Sequence, residues 1–441
     1  MGGSAIAGWK KGAFLLHRLL EVGQAGVRVR PLGGTRAGEV RLHRFLHNPR
    51  VTAEEMVASA RAHTRSRVQG RHVLAIQDTT SLRDDGRQHS LQLHPTIAVD
   101  AADGALLGLV HATFLSRDGG AKIHCNKRPL AAKESRRWLE AIGQAGELRA
   151  AGAAQVTMIA DREADIYEDF ACRPTGVPAG VEVLIRVHHD RVLADGRRLY
   201  ACTRELAELG RVDVALPASP GRKARRAQLA LRACRVEIKR PKRNRAAEAA
   251  SLPPSVSLYC VTACEIDPPA GAEAIHWRLL TTHAVLTLDD AIRIIGFYRQ
   301  RWIIEQMFRV MKTKGFDIEA CRVAADGPFE NLVAATLIAA VQVQQMVRDR
   351  DGAAARPMAD VLDPADQPVV EAVGRTLEGR TERQKNPHRP GSLAYLAWVC
   401  ARLGGWTGYK GKPGPVVTLQ GFRRLQNIIE GWKLRRDVCM Q

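Results

Sequence analysis

Thr287–Gly315 reads TLDDAIRIIGFYRQRWIIEQMFRVMKTKG, the strongest helical signal in a chain of 441 residues. Thr287 supplies an N-cap, and Asp289 and Asp290 fall in the first turn, where the helix dipole favours anions. At about 100° per residue, Arg301, Glu305 and Lys312 lie within about 60° of Tyr298 around the helix. The apolar Ile292, Ile303, Ile304, Met307, Val310 and Met311 gather on the opposite side. A solvated stripe with an Arg301–Glu305 pair accounts for the charges. It does not account for a tyrosine in line with them, or for Trp302, Phe308 and Trp277 in the same neighbourhood.

Upstream the period changes. His72–Gln77 (HVLAIQ) and Val156–Ala160 are short apolar runs that read as buried strands, ending at Asp78 and Asp161. Ser90–Val99 and Leu106–Phe114 flank a Gly-containing turn and predict a hairpin. Lys133–Leu148 and Ala164–Phe170 read as helices, and Val181–Val187 (VEVLIRV) as a further strand. Three strands, helix, strand, helix, strand predict an α/β core with a mixed sheet. Sites collect at strand ends of such sheets, where side chains leave the core. An aspartate ending a strand is commonplace, however, so the pair needs the helix to give it meaning.

The flanks are simpler. Thr52 and Glu55 form a capping box for a helix beginning at Ala53, and Asn331–Arg348, Ser392–Leu403 and Gln420–Leu434 read as helices. Residues 218–247 contain GRKARRAQLALRACRVEIKRPKRNR, a basic stretch that opens a β-rich insertion. Solvated strand faces and nucleic-acid contact explain its charges equally well.

Lys and Arg outnumber Asp and Glu by 66 to 46, a formal net charge of +20, which favours a polyanionic partner. The apolar fraction of 45% is that of a protein with a real core, which excludes wholesale disorder. Nine scattered cysteines without finger spacing argue against zinc and read as the reduced thiols of a cytosolic protein. The apolar run Gly12–Leu20 is too short to span a membrane, and no cleavable signal follows it, so the reading is a soluble, intracellular chain.

Three blocks, Ile76-Gln-Asp78-Thr-Thr-Ser-Leu82, Ile159-Ala-Asp161-Arg-Glu-Ala-Asp165 and Tyr298-x2-Arg301-x3-Glu305-x6-Lys312, resemble those of the insertion-sequence-four family of DDE transposases, the family of the Tn-five transposase. Arg44-Phe-Leu-His-Asn-Pro-Arg50, Lys133-Glu-Ser135 and Leu403-Gly-Gly-Trp-Thr-Gly-Tyr409 are lesser matches, and the likeness runs over about residues 41–435. The resemblance implies an RNase H-like mixed-sheet catalytic core interrupted by a β-rich insertion, with helical amino- and carboxy-terminal regions. The expected layout is an amino-terminal helical DNA-binding region at 1–70, core at 71–188, insertion at 189–276, core with the Glu helix at 277–345, and a helical dimerisation region at 346–441. Residues 1–38 are atypical, do not resemble the family and are open to being disordered.

By the same resemblance, Asp78, Asp161 and Glu305 are the catalytic and metal-binding triad, holding two Mg2+ ions for which Mn2+ substitutes. Three converging carboxylates repel one another unless cations neutralise them, and a hard divalent ion suits oxygen donors. Tyr298, Arg301 and Lys312 match family residues that grip a backbone phosphate. Trp277 matches a tryptophan that stacks a flipped base, against the alternative of a core aromatic, and Arg186 matches an arginine beside the DNA hairpin. Glu163 and Asp165 read instead as partners of nearby basic groups or caps. The implied activity is cut-and-paste transposition: strand nicking, hairpin formation and opening, then strand transfer. The implied partners are double-stranded DNA, as terminal inverted repeats and target, and a second copy of the chain, in a bacterial cytoplasm at the nucleoid. Two alternatives stand beside it: a catalytically silent or amino-terminally defective DNA-binding relative that inhibits by heterodimerising, and a host RNase H-like nuclease.

Overall fold

The computed structural model describes residues 15, 18–19, 27, 32–84, 90–117, 134–176, 180–216, 224–241, 252–312, 315–321, 323, 326–409 and 411–439. Most of the atypical stretch 1–38, Lys133, His89, His124 and both ends of the basic stretch 222–245 lie outside the described residues. In chain order come helices α1 (Arg36–Leu46) and α2 (Ala53–Arg65), then strands β1 (His72–Gln77), β2 (Thr80–Asp84), β3 (Ser90–Asp100) and β4 (Leu106–Arg117). Helix α3 (Arg136–Ala150), β5 (Gln155–Ala160), the short α4 (Tyr167–Ala171), β6 (Glu182–Arg186) and α5 (Leu199–Arg204) follow. Next are β7 (Gly210–Leu216), β8 (Arg225–Lys239), β9 (Ser255–Ile266) and β10 (His276–Thr281). Helices α6 (Leu288–Arg299), α7 (Trp302–Met311), α8 (Asp326–Asp349), α9 (Gln367–Leu377), α10 (Leu393–Leu403) and α11 (Pro415–Cys439) close the chain. This is a mixed α/β protein with a large mixed sheet, as an RNase H-like core requires.

The chain divides into two compact units, and residues 68–79 with 118–302 make one of them. Its sheet runs β1-β5-β6-β10-β9-β8-β7. β1, β5 and β6 are parallel; β10, β9, β8 and β7 follow antiparallel. The parallel strands are continuous apolar runs because both faces are covered, and Val73, Leu74, Ile76, Met158, Ile159 and Leu184 have no exposure at all. The insertion strands continue this sheet through the β9–β10 pairing.

The other unit comprises the residues up to 67, 80–117 and 303–441. The expected hairpin is β3–β4, with the additional strand β2 pairing β3. Thr52 caps α2, accepting a hydrogen bond from the Glu55 amide. Helices α2 and α8 pack on β4 and on each other. Where α10 meets α11, a Cβ on Gly421 would lie 1.5 Å from the Cys400 carbonyl oxygen, so only glycine allows that approach. Buried Asn331 on α8 donates its amide to the carbonyls of Leu46 and Val51, fixing the turn that joins α1 to α2.

The long helix expected over Thr287–Gly315 is two helices. Thr287 does cap the first, in a reciprocal capping box with Asp290. At Phe297–Arg301 the chain tightens: Gln300 N donates to Phe297 O and Arg301 N to Tyr298 O, three residues back in each case. Such a 3₁₀-like step interrupts the α-helix at Gln300–Arg301, an adjustment that helical periodicity does not encode. Asn331→Ala removes the donor to one buried and one part-buried carbonyl. It should lower unfolding stability by about 1–3 kcal/mol, read as a shifted denaturation midpoint; an unmoved midpoint would show the turn to be held by other contacts.

Candidate active site

The site begins with strand register. β1 and β5 pair in parallel with Ile76 opposite Ile159, so Asp78 and Asp161, each two residues further on, leave the sheet side by side. Ala160 lies opposite Ile185 on β6, which brings Arg186 next to Asp161. On antiparallel β10, Leu279 faces Arg186, and Trp277 stands two residues along on the same face. Four expected site residues therefore form one neighbourhood although they come from four strands.

Arg301 completes it. Its guanidinium spans both aspartates, at 3.1 Å from Asp78 Oδ2 and 3.6 Å from Asp161 Oδ2. Each ion pair near 4 Å contributes roughly 4 kcal/mol of attraction at an effective dielectric of 20. Together they oppose the mutual repulsion of the two carboxylates. Arg186 Nη1 adds a weaker contact, 3.9 Å from Asp161 Oδ1. The same oxygen accepts from Arg162 N at 2.8 Å, while Asp78 Oδ1 accepts from Thr79 N at 2.8 Å. Both carboxylates are thereby aimed by their own next peptide.

Tyr298 donates its hydroxyl to Asp161 Oδ1 at 3.2 Å, and its ring meets that of Trp277 edge-on, with centroids 5.6 Å apart. Burial, and then the Asp161 charge, push the Tyr298 hydroxyl up to about 12, so it stays a donor across the neutral range. Trp277, half-buried against this tyrosine, is neither a fully enclosed core aromatic nor a free one.

Glu305 stands half-buried in the first turn of α7, in the other unit. In that unit Lys312 Nζ donates to Ser81 O at 2.5 Å and pairs with Glu319 at 2.8 Å. Among the described residues no group of three or more His, Cys, Asp or Glu is gathered so as to hold a metal ion. The two aspartates nevertheless suit one: they are all-oxygen donors whose shared space already attracts a cation, the Arg301 guanidinium.

Several further residues support these groups, and their basic members, Arg137 and Arg191, carried no signal in the sequence. Asp165 is wholly buried and accepts from the amides of His188 and His189 and from Arg191 Nε at 2.8 Å, so it ties the turn after Asp161 to the loop after Arg186. That agrees with its reading as a partner of basic groups. Glu163 likewise meets Arg137 at 3.5 Å, and Arg137 also reaches Thr79 Oγ1, the neighbour of Asp78. The second and third acids of the Asp-Arg-Glu-Ala-Asp block, Glu163 and Asp165, were the available hint.

Residues 167–341 match the family model described as the transposase DDE domain. The match supports a DDE transposase. It spans Arg186, Trp277, Tyr298, Arg301, Glu305 and Lys312, and begins after Asp161. A DDE transposase acts on DNA and uses divalent metal for nuclease and strand-transfer chemistry, which suits the net charge of +20. Among the described residues no helix is long and apolar enough to cross a membrane, and the described cysteines are free thiols.

Two measurements check this geometry. The folded chain holds the Tyr298 proton more tightly than the unfolded chain, so stability should fall as pH rises from about 10 to about 12. Tyr298→Phe should remove that component and take one tyrosine out of the late part of the absorbance titration, to which Tyr167 and Tyr395, also raised by burial, contribute the rest; a titration identical in both proteins contradicts the buried donor. Asp165→Ala strands the buried Arg191 guanidinium and should cost about 3–5 kcal/mol of unfolding free energy, measured in denaturant; a loss under 1 kcal/mol would mean the pair is dispensable.

Proposed function

We propose that the chain is a cut-and-paste DNA transposase of the insertion-sequence-four, Tn-five-like type, with Asp78, Asp161 and Glu305 as its catalytic carboxylates. The observation that carries this reading is the pair of in-register strand-end aspartates with a cation spanning them. The three carboxylates would hold two magnesium ions, with manganese able to substitute. When bound, the ions supply positive charge to the attacking and leaving oxygens of an in-line displacement.

The chain's own residues do the rest. Arg301 and Lys312 bind the backbone phosphate beside the cut, the first through its planar fork and the second as a point charge. Tyr298 orients Asp161 by donating to its Oδ1, and Arg186 adds positive charge beside the same oxygen. Trp277 stacks a base displaced during hairpin formation, a contact worth roughly 1–3 kcal/mol, comparable with the cost of unstacking. Hydrolysis of one phosphodiester frees a 3′-hydroxyl. That hydroxyl attacks the opposite strand, breaking one phosphodiester for the one formed. Water opens the hairpin, and the regenerated 3′-hydroxyl joins target DNA by a second exchange.

The sequence-derived layout, with end recognition at 1–70 and dimerisation at 346–441, belongs to this proposal, as does action at the bacterial nucleoid. Helix α11 supports the second copy: Ile428 and Trp432, one turn apart, and Leu434 are exposed apolar side chains on it. Purified protein with magnesium should nick DNA carrying the inverted repeats that flank its reading frame. Asp161→Asn should reduce that rate on the order of 10³-fold or more, the scale of removing a group that acts in the transition state. Equal nicking by the Asn variant overturns the assignment.

A further inference from the structure

A cavity of about 570 Å3 lies in the unit that holds the two aspartates, and its lining includes five arginines and no carboxylate. Its floor is set by register. Arg232 on β8 pairs with Thr262 on β9, and Thr262 pairs with Arg278 on β10, so the three side chains form a row across one face of the sheet. His276, opposite Cys264, extends that face. Trp277 lies between His276 and Arg278 in the strand and therefore points to the other face, towards Tyr298. The cavity is thus separate from the place where Trp277 would stack a base.

Helix α5 forms a wall. Arg278 donates to Thr203 Oγ1 at 3.1 Å and lies over the Tyr200 ring, 3.9 Å from its centroid, which leaves a flat, anchored cation facing the space. Arg204 stands exposed on the same helix, and the rim reaches Arg162 and Arg186, the neighbours of Asp161. Thr262 is 2% exposed, and its hydroxyl has no hydrogen-bond partner among the described residues, an unusual state for a buried donor. The surrounding field is felt at His276, held below its ordinary value by partial burial and then by Arg278, Arg186, Arg162 and Arg204.

We infer that this cavity binds the phosphates of an unpaired DNA strand running on from Asp161, with Arg232, Arg278 and the Thr262 hydroxyl as its floor contacts. The inference rests on the transposase reading for the identity of the strand. Concentrated guanidinium groups without acids select a polyanion. An idle buried hydroxyl needs an acceptor, which a phosphate oxygen supplies. The volume is that of a small-molecule site and holds a nucleotide or two, not a duplex. The stacked guanidinium offers a plane on which a base rests.

The test is fluorescence anisotropy of the full chain with a short labelled single strand, in chelator so that no cleavage intervenes. Arg232→Gln should weaken single-strand binding about tenfold and reduce its log–log salt slope by about 0.7, one phosphate contact's worth. Thr262→Val keeps the side-chain shape and should weaken binding several-fold, which tests the cavity even where Arg232→Gln disturbs folding. Duplex affinity should be unchanged in both. Unaltered affinity and slope in both variants overturn the inference, as does an equal loss for duplex. Inorganic pyrophosphate that binds with the same dependence on Thr262, while the single strand does not, assigns a free phosphate ligand and overturns the strand. Because catalysis is absent from these measurements, a failure here leaves the Asp161→Asn result to stand or fall separately.

Discussion

Two carboxylates at the ends of neighbouring parallel strands, held together by one guanidinium, organise the rest of this protein. Parallel register forces Asp78 and Asp161 to emerge at the same level. Like charges there are tolerated only with a cation between them, and Arg301 supplies it from the turn between α6 and α7. The guanidinium sits where the helical stretch is interrupted, at the tighter step of Gln300–Arg301.

The sheet has two working faces. On one, Trp277 meets Tyr298, which in turn reaches Asp161. On the other, Arg232, Thr262 and Arg278 floor a basic cavity whose rim borders the same aspartate. Alternation along β10 separates them by a single residue. The insertion strands do more than decorate the core: by pairing onto β10 they extend its sheet and supply that floor. The buried Asp165–Arg191 pair then ties the Asp161 turn to the loop that leaves β6, so that the two faces share one anchored edge.

Much of this was legible in the chain. The apolar runs before Asp78 and Asp161 became β1 and β5 because continuous apolar stretches of that length are buried strands wherever both faces are covered. Thr287 and Asp290 cap α6 as local chemistry demands, and the hairpin formed around its glycine turn. The strands β2 and β7 left no signal, since short, partly polar strands look like loops until a neighbour supplies their hydrogen bonds.

Local sequence therefore determined most element types, the caps of α2 and α6 and the identity of the acids and bases offered for chemistry, because those depend on side chains a few positions apart. Tertiary structure alone decided that Asp78, Asp161, Arg186 and Trp277 share a neighbourhood, that Arg301 bridges the aspartates, and that scattered arginines line one cavity. These outcomes depend on strand order and register, fixed by hydrogen bonds between segments far apart in the chain, and no window of neighbouring residues contains them.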